Sequence, residues 1–139
     1  MGDLGNLLMG FQIAITPYNL GIGVIGIVLG TIIGVLPGLG GANGVAILLP
    51  LTFTMPPTSA INLLTSIYWG ALFGGAITSI LFNIPGEPWS VATTFDGHPM
   101  AKQGRGGEAL TAAFTSSFVG ALFAIILVSF FAGPLAELA

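Results

Sequence analysis

The 139-residue chain is long enough for one small domain, but 54% of it is hydrophobic and only 5% charged. A soluble domain of this size needs a largely polar surface, with about 25% charge usual. The two basic and five acidic residues offer no basic patch for nucleic acid, and the absence of cysteine removes disulfides, thiolate catalysis and Cys-based zinc sites.

The N-terminal stretch MGDLGNLLMGFQ lacks the cationic region of a signal peptide and is expected to lie along the interface or lead into a first membrane segment. Crossing the hydrocarbon core takes about 20 mainly apolar helical residues. Asn19–Leu36 and Ile61–Ile84 carry no charge and are predicted to span, as is Leu110–Leu135. Val45–Thr54 is apolar but shorter than a span, and Pro50 interrupts it. The expected fold is therefore all-α and membrane-embedded, with three spanning helices plus a short broken or re-entrant helix. Gly26, Gly30 and Gly34 recur at every fourth position, Gly38 continues the series into a turn, and Gly70 and Gly74 repeat the spacing. Small residues on one face let helix backbones approach closely in lipid, so these glycines read as packing faces.

Two breaks interrupt the apolar pattern. The first, Leu36–Gly44, holds four glycines and a proline, a composition that does not continue a helix cheaply. Non-helical backbone at membrane depth persists only where protein buries it or a wet cavity lies beside it. Open N–H groups there, with a helix starting near Gly44, suit a carboxylate. Gly38, Gly40, Gly41, Asn43 and Gly44 are the candidate substrate-binding residues. The second break, Ser79–Pro88, runs into Pro85-Gly86. Thr78, Ser79, Asn83, Gly86 and Glu87 are candidates for holding a coupling ion or orienting the substrate. Paired interrupted helices are the best sequence pointer to a transporter site; an ordinary interfacial turn is the alternative for each break.

Most of the charge lies in the connection Pro85–Glu108. Its Lys102 and Arg105 set topology, placing it in the cytoplasm by the positive-inside rule, and offer a secondary attraction for an anion. Asp96-Gly97-His98-Pro99 reads as a turn with a structural histidine. No carboxylate pair, catalytic triad or metal-spaced histidine cluster is present, so the chain is not expected to be an enzyme, and no cofactor is expected beyond Na⁺ as a coupling ion.

Three segments, in order, resemble the large membrane subunit of tripartite tricarboxylate transporters, the TctA family: Gly34–Gly44 (GVLPGLGGANG), Tyr68–Pro88 (YWGALFGGAITSILFNIPGEP) and Asp96–Arg105 (DGHPMAKQGR). The resemblance covers about Gly21 to Phe131. It implies that residues 1–139 are the N-terminal transmembrane portion of a longer permease subunit in a bacterial inner membrane, multi-pass. The implied activity is secondary-active import of citrate or related organic anions, driven by a Na⁺ or H⁺ gradient. A small membrane subunit and a periplasmic solute-binding protein are the implied partners. Trp69 and Ala76 depart from the tyrosine and serine expected there. The alternative is a small membrane scaffold or accessory subunit packing through its GxxxG faces.

Overall fold

The computed structural model describes residues 3–138, with side chains other than those of residues 3, 4, 6 and 132–138. Residues 1, 2 and 139 of the expected unit lie outside the described residues. Among these, every regular element is helical: α1 (Asp3–Ala14), α2 (Pro17–Val35), α3 (Gly40–Leu48), α4 (Pro57–Phe82), α5 (Val91–Lys102) and α6 (Gly106–Leu138), with 3-10 segments at Leu49–Thr54 and Pro88–Ser90. Three helices, Pro17–Val35, Pro57–Phe82 and Gly106–Phe131, are long and apolar enough to cross a membrane, and Gly40–Thr54 forms a shorter apolar helical segment. This is the all-α arrangement anticipated. The long helices begin two to four residues earlier than expected at Asn19, Ile61 and Leu110. For two of them the reason is a proline in the first helical turn, Pro17 and Pro57, where the missing N–H has no intrahelical partner to lose.

The glycines on α2 and α4 pack the two helices backbone to backbone. A Cβ at Gly26 would meet Ser66 Cβ at 2.7 Å and Leu63 O at 3.0 Å, while one at Gly30 or Gly34 would strike the carbonyl of Ile67 or Ala71. Gly70 and Gly74 answer from α4 against Ile27 and Thr31. The contacting residue numbers rise together, so α2 and α4 run parallel. Consecutive helices joined by a short hairpin run antiparallel; here Gly40–Thr54 must carry the chain back along the pair before α4 begins. Nine α-helical and six 3-10 residues return it by about 25 Å, at roughly 1.5 and 2.0 Å per residue. Ile22, Leu63 and Ile67 form the small core, with Ile33 of α2 and Val45, Leu48 and Met55 of the return segment packed against it.

At the N-terminal end of the pair a polar clasp replaces apolar packing. Ser59 Oγ donates to Asn19 Oδ1 at 2.7 Å, Asn62 Nδ2 donates to the Asn19 carbonyl at 2.7 Å, and Asn19 Nδ2 donates to Ile13 O at 2.8 Å. Asn19 and Ser59 are both buried.

The connection expected to be an open loop is instead folded. Asp96, Gly97, His98 and Pro99, read as a turn, lie inside α5. Gly97 lets α5 close on α4, since a Cβ there would stand 2.7 Å from Ile80 Cγ1. His98 Nδ1 lies 3.1 Å from Ile80 O, which ties α5 to the same residue. Gly104, at φ +79, then ends α5 with the paired bonds of a Schellman motif, Gly104 N–H to Ala101 O and Arg105 N–H to Met100 O. Helix α6 returns antiparallel to α4, with Gly106 beside Leu81 and Phe114 edge-on to Phe73 at 5.1 Å. From Phe118 to Phe131 its side chains are exposed apart from half-buried Ala121.

Candidate functional site

Both interruptions come to rest at the same end of the α2–α4 pair. In the first, only Leu36–Leu39 is non-helical; α3 begins at Gly40 rather than near Gly44. Gly38 and Gly40 take left-handed φ values of +87° and +65°, a region that glycine enters without a Cβ penalty. This turns the chain within four residues and points the N-terminus of α3 back towards the end of α2.

The second interruption begins at Asn83, whose own left-handed backbone (φ 58°) ends α4. Asparagine tolerates this conformation better than most residues. The chain then folds back along α4. Gly86 wedges between α2 and α4, where a Cβ would stand 2.5 Å from Gly34 O and 2.8 Å from Gly75 Cα. Gly75 lies seven residues before the end of α4, about 10 Å down the axis. Pro85 and Gly86 thus carry the next residue well inside the end of the helix.

That residue is Glu87. Only 3% exposed, it accepts the Gly41 N–H on Oε1 at 2.5 Å. Gly41 is among the leading residues of α3, whose N–H groups have no intrahelical acceptor, so a carboxylate already sits at the end of the helix dipole. Glu87 Oε2 is buried with no hydrogen-bond partner. The backbone is held by Ser90: the Glu87 N–H donates to Ser90 Oγ at 3.2 Å, and the hydroxyl donates to Glu87 O at 2.7 Å. Among the described residues no cation reaches the carboxylate. Lys102 is exposed, and the exposed Arg105 places Nη2 and Nε at 2.6 and 3.0 Å from Glu108 Oε2.

A cavity of about 300 Å³ opens here, lined by Gly38–Asn43 from one break and Gly86–Trp89 from the other. Its volume falls at the lower end of small-ligand sites. Of the sequence-expected residues it gathers Gly38, Gly40, Gly41, Asn43, Gly86 and Glu87. The others sit elsewhere. Gly44 faces Ile33, whose Cγ2 would be 2.9 Å from an added Cβ. The Thr78 and Ser79 hydroxyls donate to Gly75 O at 3.1 and 2.7 Å, and Asn83 is an exposed helix terminator. Trp89 lines the cavity, and Tyr68 puts Cδ2 3.0 Å from a Cβ at Gly41; neither stood out in sequence, since single aromatics in an apolar chain carry no spacing signal. A second hollow of about 430 Å³, lined by Ala42, Val45, Leu64, Thr65, Tyr68 and Trp69, has no charged group. Ala76 lines neither hollow.

A family model described as "Tripartite tricarboxylate transporter TctA family" matches residues 20–139. An uncharacterized 52.8 kDa protein in the TAR-I ttuC' 3' region of Agrobacterium vitis is 45% identical over 139 residues, which is 100% of this chain and 28% of that protein. The chain therefore spans less than a third of the length of that curated relative. No solved structure matches the chain.

Proposed function

Since the chain belongs to the tripartite tricarboxylate transporter TctA family, we propose that it forms part of the large membrane subunit of a secondary-active importer of tricarboxylates or related organic anions. An ion gradient, with Na⁺ or H⁺ as the coupling ion, drives the uptake. The family relationship supports a small membrane subunit and a periplasmic solute-binding protein as partners, and a bacterial inner membrane as the location. One observation carries the assignment of the site: the N-terminus of α3 faces a cavity shared by both breaks and already binds a carboxylate there. Gly38, Gly40, Gly41 and Asn43 form the proposed anion-binding side, and Gly86 and Glu87 form the ion-responsive side. The glycine faces that would serve a scaffold are used within the chain, packing α2 on α4.

The test is citrate uptake by cells carrying the full-length subunit with its partners. Hydrogen bonds to a charged group contribute about 1.5–3 kcal/mol, so Asn43→Ala should raise KM by roughly 10-fold or more. Asn83→Ala, away from the cavity, should move KM far less. An unchanged KM for Asn43→Ala would remove Asn43 from the site.

A further inference from the structure

We propose that Glu87 carries the coupling proton, and that its carboxylate and a carboxylate of the transported anion take turns at the N-terminus of α3. The inference rests on the transporter reading above and specifies how its two halves are linked. Its ground is the asymmetry of one side chain that lines the cavity: Oε1 accepts from Gly41, while Oε2 is buried and has no partner.

The surroundings decide between a proton and a metal ion. A hard cation needs several oxygen ligands. Among the described residues no group of three acidic or histidine side chains gathers to hold a metal, and Glu87 is the one carboxylate lining the cavity. A proton needs one oxygen. Nor does a neighbouring charge compensate an ionised Glu87. No charged residue occurs in α2 or α3, and the titratable side chain of α2, Tyr18, lies at the other end of the helix. From α4 the titratable neighbour is Tyr68, beside Gly41. On α5, Asp96 and Lys102 are exposed and His98 is engaged with Ile80 O. Arg105 and Glu108, at the start of α6, are paired with each other.

Two carboxylates at one helix terminus repel each other, which disfavours an anion arriving beside ionised Glu87. A proton taken from solvent onto Oε2 removes that charge. The Gly41 N–H···Oε1 bond is then exchanged for a Gly41 N–H···carboxylate bond to the substrate. When the anion leaves, Glu87 returns its proton to solvent and again accepts from Gly41. Anion and proton therefore enter and leave together.

The experiment compares wild type with Glu87→Gln in the full-length subunit, purified and reconstituted with its partners. Citrate is the probe, with tricarballylate and succinate alongside. Ionisation of the probe is common to both proteins and cancels in the ratio of their Kd values. Over the pH range in which binding takes up a proton, that ratio should change by about tenfold per pH unit, as linkage of one proton to binding requires. In weakly buffered solution wild type should take up about one more proton per citrate bound than the variant. In liposomes Glu87→Gln should exchange citrate at equal pH, at an altered rate, yet fail to accumulate it against a pH gradient. A pH-independent ratio, or undiminished accumulation by Glu87→Gln, overturns the proposal. So does uptake that follows a Na⁺ gradient without proton uptake, which leaves the transporter reading standing. If wild type neither binds nor exchanges any of the three anions, the transporter reading itself fails. Should Glu87→Gln not fold, proton uptake by wild type and the pH profile of Glu87→Asp decide the matter.

Discussion

The two ends of the α2–α4 pair each bury polar groups, and they treat them in opposite ways. At the Asn19 end, the buried Asn19 amide and Ser59 hydroxyl have partners at 2.7–2.8 Å. At the Glu87 end, one carboxylate oxygen is bonded and the other is left without a partner in a buried position. A satisfied network rigidifies the structure, whereas an unsatisfied buried polar atom is costly and asks for an explanation. The contrast separates a fastening from the proposed site: one end holds the helices in register, and the other leaves an acceptor without a partner.

The most damaging way to break the comparison is to disturb the packing that both ends share. Gly34→Leu would drive a side chain into the Ala71 carbonyl, and overpacking against backbone should cost about 3 kcal/mol or more. The readout is loss of the monodisperse fraction on size-exclusion chromatography; a well-folded variant at wild-type yield would show that the interface can open. Next in size, Asn19→Ala leaves the Ile13 carbonyl its bonds from Thr16 but strands the buried Ser59 hydroxyl. It should lower stability in a thermal melt by about 1–2 kcal/mol, while the pH dependence of citrate binding is unchanged. Glu87→Gln should do the reverse, with a melt shifted by less than about 1 kcal/mol and altered coupling, because it removes a buried charge that has no counter-ion. Equal destabilisation by these two changes would erase the distinction. The smallest effect is expected at Asn83, where Asn83→Gly keeps the left-handed backbone and should change stability by less than about 0.5 kcal/mol, whereas Asn83→Leu should cost about 1–2 kcal/mol.

The long helices were legible because uninterrupted apolar length is a strong signal in a chain with so little charge. The packing role of Gly26, Gly30, Gly34, Gly70 and Gly74 was legible too, through their spacing. Gly38, which continues that spacing into the expected turn, is a turn residue with nothing within 4 Å of a Cβ. The parallel course of α2 and α4 was hidden, because nothing in Val45–Thr54 states how far the segment returns. The loop reading of Asp96–Pro99 failed on Gly97 and Pro99, both of which usually punctuate helices. Contact with Ile80 overrides that tendency, while Gly104, placed just after Lys102 and Gln103, is the helix terminator that the pattern did contain. At the site, both breaks could be recognised, and so could Glu87. That Thr78 and Ser79 would satisfy themselves on Gly75 could not, because hydroxyls in a helix can bond the preceding turn as readily as a ligand.

The parallel pairing of α2 and α4 also bears on how the protein enters its membrane. The direction in which α4 crosses is decided by whether the fifteen residues before it, too short and too broken by Pro50 to insert firmly alone, go in as well. Those residues find their place only against α2 and α4, so α4 must come up beside α2 before the link is secured. If the link stayed at the surface, α4 and everything after it would be threaded upside down. A cysteine at Gln103 would report such an inversion by reacting with an impermeant label from the opposite side of the bilayer.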